Sequence, residues 1–160
     1  MDRLWAPWRI AYIRGNTKKK CVFCAANKSK AKQNYVVLKT RYSVALLNIF
    51  PYNNGHLMVS PISHVGELTR LKDVEALDLF KTLTKAKKLL DKVLKPDGYN
   101  IGINISEVAG AGIPGHLHIH IVPRWKGDTN FMPVLAGTKI ISQSLDELYK
   151  QLRHALTKTD

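Results

Sequence analysis

Residues 114–125 read Pro-Gly-His-Leu-His-Ile-His-Ile-Val-Pro-Arg-Trp, and this alternation of histidine with apolar residues constrains the fold more than any other stretch. Successive side chains of a β-strand point to opposite faces. A strand here sets His116, His118 and His120 on one face, with neighbours about 6–7 Å apart. Leu117, Ile119 and Ile121 then point the other way, into a core. A core has no use for a row of imidazoles, so the histidine face is expected to be solvated and to border a site.

The rest of the composition narrows the class. At 160 residues the chain is expected to be one domain with a real core. No apolar run reaches the roughly 18 residues of a membrane span. Asp2, Arg3, Trp5, Pro7 and Arg9 interrupt the first ten residues, so no secretory pattern is seen and a cytoplasmic location is expected. In that setting the Cys21-x-x-Cys24 pair points to metal or redox chemistry more than to a disulfide. The net charge of +13 favours polyanionic partners. Its lysines are scattered, however, and Lys81, Lys85, Lys88, Lys92 and Lys95 read as a solvated helix face. No zinc-finger, homeodomain, RRM or KH signature is present, so nucleic acid is not the expected partner.

Strands are expected at 34–39, 42–49, 56–60, 100–105 and 116–122. Apolar residues at Leu77, Phe80, Leu83, Leu90, Val93 and Leu94 predict a helix over 73–94, stopped by Pro96-Asp97-Gly98. Ser144-Leu145-Asp146-Glu147 is a capping-box pattern that opens a C-terminal helix. Residues 15–33 read as a loop or short helix around the cysteines. Strands in a row with one long helix among them argue an α+β fold with a mostly antiparallel sheet.

Five of the six histidines fall in two segments, His56/His64 and His116/His118/His120. Neighbouring strands would make them converge. Such a row suits a zinc site. It equally suits nucleophilic catalysis, in which one imidazole attacks phosphorus and its neighbours fix the tautomer.

The run from His116 to Val122, taken with Leu46-Leu47-Asn48-Ile49 and the segment from Gly55 to His64, resembles the histidine triad (HIT) family over roughly residues 21–125. The resemblance implies a single HIT domain over 1–160: an aromatic and basic segment at 1–20, a HIT core at 21–125 and a C-terminal extension with a helix at 126–160. The implied fold has a mostly antiparallel five-stranded sheet, one long helix between strands and a C-terminal helix. Members are generally homodimers that cleave or transfer nucleoside phosphates through a covalent nucleotidyl-histidine. His118 matches the nucleophile, His120 the supporting third position and His56 the upstream histidine of the network. Asn48 matches the position that holds ribose hydroxyls, and Asn104 one that lines the ribose–phosphate path. Backbone N–H groups of the loop from Gly110 through Gly112 to Gly115 could cradle phosphate. Some members hold structural zinc with two cysteines and two histidines, which map to Cys21, Cys24, His64 and His116. The chemistry itself then needs no catalytic cofactor.

Residues 4–13, the loop 109–115 and residues 123–132 are similar to the bacterial diadenosine tetraphosphate phosphorylase-like branch. That branch implies a dinucleoside polyphosphate substrate and inorganic phosphate as acceptor, giving ATP and ADP. The alternative is a hydrolase of dinucleoside polyphosphates or nucleoside phosphoramidates that gives AMP. Weaker readings are a nucleotide- or nucleic-acid-binding module and a metallohydrolase with all three histidines on zinc. Arg124 and Lys126 could add positive field at the phosphates. Trp5, Trp8, Trp125 and Phe131 read as core and dimer packing, with adenine stacking as their functional alternative.

Overall fold

The structure is a computed structural model that describes residues 21–28, 31–130, 135 and 140–158. The expectations for Trp5, Trp8 and Phe131 lie outside the described residues. Strands β1 (Val36–Lys39), β2 (Ser43–Leu47), β3 (Leu57–Pro61), β4 (Gly98–Ile103) and β5 (Ile119–Arg124) form one antiparallel sheet in the order β1-β2-β3-β5-β4. Helix α1 (Val22–Lys28) precedes the sheet, α2 (Asp73–Leu94) joins β3 to β4, and α3 (Leu145–Thr157) follows β5. The α+β expectation holds, with its five strands, long helix and C-terminal helix. No helix among the described residues is long and apolar enough to cross a membrane.

The pleat divides the sheet into two working faces. Val37, Ala45, Leu47, Leu57, Val59, Ile119 and Ile121 pack with Leu79, Leu83, Ala86 and Leu90 of α2 and with Leu148 and Leu152 of α3. Val36, Val44 and Leu46 point the other way and pack with Phe23 and Ala26 of α1. All five residues of β2 are buried, as expected of a strand covered on both faces.

The long helix has the predicted bounds but a different apolar face. Its buried residues are Leu79, Thr82, Leu83, Ala86, Leu89 and Leu90, whereas Leu77 and Phe80 are 57% and 59% exposed. At 100° per residue Leu77 lies about 180° around the helix from Ala86, so the predicted list joined two opposite stripes. Val74 is also exposed, and it continues the outward stripe. The helix ends at Lys95, which is left-handed (φ 46°), just before Pro96. At α3 the Ser144 hydroxyl accepts from the Glu147 N–H at 3.2 Å, as the capping pattern predicts.

The histidine stretch departs from the expected strand. Only His120 lies within β5; His116 and His118 precede it. The β3–β5 pairing runs from Leu57↔Ile121 to Val59↔Ile119 and stops there. Pro61 has no N–H with which to continue the ladder. The Ser60 hydroxyl instead donates to the Leu117 carbonyl (3.0 Å), and the Leu117 N–H donates to Val65 O (2.6 Å). β4 correspondingly ends at Ile103, opposite Ile119, so Asn104 opens the loop rather than lying in the strand.

Leu90 is fully buried between the sheet and α3. Leu90→Ala is expected to lower unfolding stability by about 2–5 kcal/mol, read from urea denaturation.

Candidate active site and adjoining metal-ligand cluster

His118 follows the ladder break. Its Nδ1 lies 2.8 Å from the His116 carbonyl, an acceptor only, so Nδ1 carries the proton and Nε2 keeps its lone pair. Phe23 of α1 packs over this ring, with centroids 4.8 Å apart, and over His116 at 5.1 Å. The histidine face is therefore less open than its sequence suggests: His116 and His118 are 1% and 3% exposed. Burial pushes the His118 pKa down, opposed by the hydrogen bond to the His116 carbonyl. The imidazole is held neutral, which is the nucleophilic form.

His120 sits beside it, with ring centroids 4.9 Å apart, and its Nδ1 lies 2.9 Å from Nε2 of His56. Gly55, left-handed at φ 77°, turns the chain into His56; a Cβ there would lie 2.5 Å from Leu94. Tyr52 packs tilted against His56 at 4.6 Å and stacks on His120 at 5.8 Å. Burial, with repulsion from His120 and His118, pushes His56 down to about 3. Burial, with repulsion from His118, pushes His120 down to about 4.

Behind His118 lies a second cluster. Cys21 Sγ is 3.2 Å from His116 Nδ1, Cys24 Sγ is 3.2 Å from His64 Nδ1 and 3.6 Å from His116 Nδ1, and the two Nδ1 atoms are 3.1 Å apart. All four ligand atoms lie within 4.8 Å of one another, and both thiols are unbridged. His116 Nε2 donates to the Pro61 carbonyl at 2.8 Å, so its Nδ1 lone pair faces the sulfurs. A tetrahedral ion with sulfur at about 2.3 Å and nitrogen at about 2.0–2.1 Å spaces its ligands about 3.3–3.8 Å apart. The donor set fits such an ion, and the separations, 3.1 Å at the shortest and 4.8 Å at most, bracket its ligand spacing.

The remaining predicted residues are dispersed around this centre. Asn48 is 9% exposed; its amide lies against His56 Nδ1 (3.3 Å) and accepts from the Phe50 N–H (3.0 Å). Asn104 is half-buried at the start of the glycine loop, 3.7 Å from where a Gly110 Cβ would sit. In that loop the Gly110 and Ala111 N–H groups already bond to Glu107 O and Ser106 O. Gly112 is exposed, and a Cβ on Gly115 would lie 3.5 Å from His64 Nε2, which puts Gly115 at the cysteine–histidine cluster. Arg124 is bidentate to Asp128 (2.6 and 2.9 Å) and donates to Asn100 (2.7 Å), so a carboxylate already offsets its charge. Lys126 is exposed, and its backbone N–H is tied to Asp97. Phe23 and Tyr52 were missed as site residues. The signal for Phe23 was its place between two ligand cysteines, and for Tyr52 its place in the turn that delivers His56.

A sequence model of the HIT domain matches residues 29–127. The chain belongs to the HIT family. This HIT protein is 35% identical over 161 residues to an AP-4-A phosphorylase of Mycobacterium tuberculosis, covering 95% of this chain and 83% of the relative. It is 38% identical over 93 residues to an asymmetrical bis(5'-nucleosyl)-tetraphosphatase of Schizosaccharomyces pombe, covering 58% of this chain and 50% of the relative. Among solved structures, a zinc-bound histidine triad family protein of Mycobacterium smegmatis aligns with a TM-score of 0.68 at 25% identity, over 87% of this chain and 94% of that one.

The lowered His56 and His120 pKa values give this HIT fold a defined acid response. Unfolded imidazoles titrate near 6.5 and these two near 3 and 4, so below pH 6.5 the unfolded chain binds more protons. Stability therefore falls as the pH drops from about 6.5 towards 4, by up to roughly 1.4 kcal/mol per pH unit per imidazole. Urea unfolding of His120→Asn should show a shallower acid slope than the parent chain, with equal slopes above pH about 7.

Proposed function

We propose that this protein is a nucleotidyl-transferring HIT enzyme that cleaves dinucleoside polyphosphates of the diadenosine tetraphosphate type by phosphorolysis. The observation that carries this reading is the His118 tautomer: its Nδ1–H is held by the His116 carbonyl and its Nε2 lone pair is left for attack. The Nε2 lone pair attacks the α-phosphorus, a P–N bond forms, and the P–O bond to the leaving ATP breaks with its electron pair on oxygen. An oxygen of inorganic phosphate then attacks the same phosphorus, the P–N bond breaks, and ADP leaves with His118 neutral again. His120 lies beside the reacting ring and supports the phosphate oxygens, with His56 behind it. Asn104 and the exposed Gly112 are set along the approach to the phosphates in this reading, whereas Gly115 belongs to the cysteine–histidine cluster. The 35% identity to an AP-4-A phosphorylase over nearly the whole chain supports this choice over hydrolysis. Hydrolysis to AMP is the second reading, favoured by the likeness to the asymmetrical tetraphosphatase.

Cys21, Cys24, His64 and His116 would hold a structural zinc ion, a reading supported by the zinc-bound neighbour. When bound, the ion supplies a cross-link between α1 and the chain entering β5; the reaction runs on His118, not on the metal. A homodimer is supported by two features exposed among the described residues: β4 is an edge strand with Ile101 49% exposed, and α2 shows the outward Val74, Leu77 and Phe80 stripe.

Diadenosine tetraphosphate incubated with the enzyme should yield ADP and ATP only when phosphate is present. AMP formed without phosphate would select hydrolysis. His118→Ala should lower turnover by about a thousandfold or more. Elemental analysis should find about one zinc per chain, and Cys24→Ser should lose it with a fall in melting temperature of several degrees.

A further inference from the structure

The turn between β2 and β3 carries Tyr52 and His56. The ladder fixes the His56 backbone, because the Asn48 N–H donates to His56 O (2.9 Å) one step beyond the Leu47↔Leu57 pair. Tyr52 stands further out and has no such support. Its ring is 47% exposed, and its hydroxyl makes no hydrogen bond among the described residues. A cleft of about 220 Å3 opens beside it, lined by Tyr52, Asn53, Asn100, Val122 and Arg124. Packing alone therefore leaves the ring room to swing off His120. The next residue is tied down. Asn53 is 6% exposed, and its amide NH2 donates to the Pro123 carbonyl at 3.0 Å and to Asp128 Oδ2 at 2.8 Å, one acceptor for each hydrogen. The Asp128 side chain is 7% exposed and also accepts from Arg124 Nε (2.6 Å) and Nη2 (2.9 Å) and from the Trp125 N–H (3.2 Å). These partners are all donors, which suits a carboxylate, and the guanidinium balances its charge.

We propose that Asn53 and Asp128 are positioning residues for the reaction: they pin the turn to the end of β5 and so hold Tyr52 against His56 and His120. The inference rests on the reading of His118 as nucleophile with His120 beside it. Asparagine is the residue type that the tether requires. Aspartate at 53 has no hydrogen to donate and would meet Asp128 as a like charge, and serine offers one hydrogen to two acceptors. Tyr52, once held, covers one side of the paired imidazoles, so that His120 meets the phosphate in a single orientation. Orientation matters more to rate than to affinity, since a misplacement of about 1 Å can cost on the order of a hundredfold in turnover.

Carbon–proton correlation spectra of histidine-labelled protein read the tether directly, because the ring protons of His56 and His120 feel the ring current of Tyr52. Asn53→Ala and Asp128→Asn should shift these signals in the direction that Tyr52→Leu shifts them. With diadenosine tetraphosphate and phosphate, both should lower kcat about tenfold with KM changed less than about twofold. Asn53→Asp combined with Asp128→Asn exchanges donor and acceptor and keeps the net charge. The pair should bring the ring signals back and return kcat to within about threefold of the parent chain. Single variants that fold with the parent ring signals would overturn the proposal, whatever their melting temperatures. So would a paired variant that regains the parent melting temperature but not its kcat, the mark of a merely structural contact. Full turnover by His118→Ala would instead sink the nucleophile assignment, and the ring signals would still decide whether Asn53 holds Tyr52.

Discussion

The hydrogen bond from His116 Nε2 to the Pro61 carbonyl, at 2.8 Å, is the constraint from which the site follows. Pro61 cannot donate to β5, so the ladder stops at Val59↔Ile119 and residues 116–118 leave the regular strand. The Pro61 carbonyl accepts from the His116 Nε2–H, which leaves the His116 Nδ1 lone pair towards Cys21 and Cys24. The His116 carbonyl is left to accept from His118 Nδ1. One missing N–H thereby separates two environments that the sequence pattern alone presents as a single row: at 116 a ring whose Nδ1 faces two sulfurs, and at 118 a ring whose Nδ1 is tied to a carbonyl.

Neutral histidines dominate a protein whose formal charge is +13. The reason is local. Phe23, the sheet and the imidazoles themselves displace water, and desolvation disfavours the charged ring more than distant lysines matter. Arg124, the nearest cation along β5, is held by Asp128, which also accepts from Asn53. A strongly positive overall charge and short-range neutrality at the histidine cluster therefore coexist. Phe23 links the two centres mechanically, because α1 carries both this ring and Cys24.

Much of the fold was legible. The helix at 73–94, the Ser144 cap and the approximate places of all the strands follow from period, capping and turn chemistry that act over a few residues. The face of α2 was not, because Leu77 and Leu83 are equally apolar and only contact with β2 and β3 decides which turns inward. The start of β5 differs from the expected strand by three residues and its end by two, because pairing partners, not the strand's own pattern, set where a ladder stops. Phe23 and Tyr52 carry no special pattern, and they matter only through the rings they touch.

The spacing of His116, His118 and His120, the Cys21–Cys24 pair and the upstream His56 and His64 determined which chemical groups are present, since side-chain periodicity is a property of the chain itself. Their convergence was decided by the antiparallel register of β3 against β5, which sets Met58 opposite His120 and brings residues 64 apart to 2.9 Å. The proton position on each ring was likewise decided in three dimensions. A tautomer depends on which donors and acceptors from distant segments arrive at each nitrogen, and sequence order does not encode that arrival.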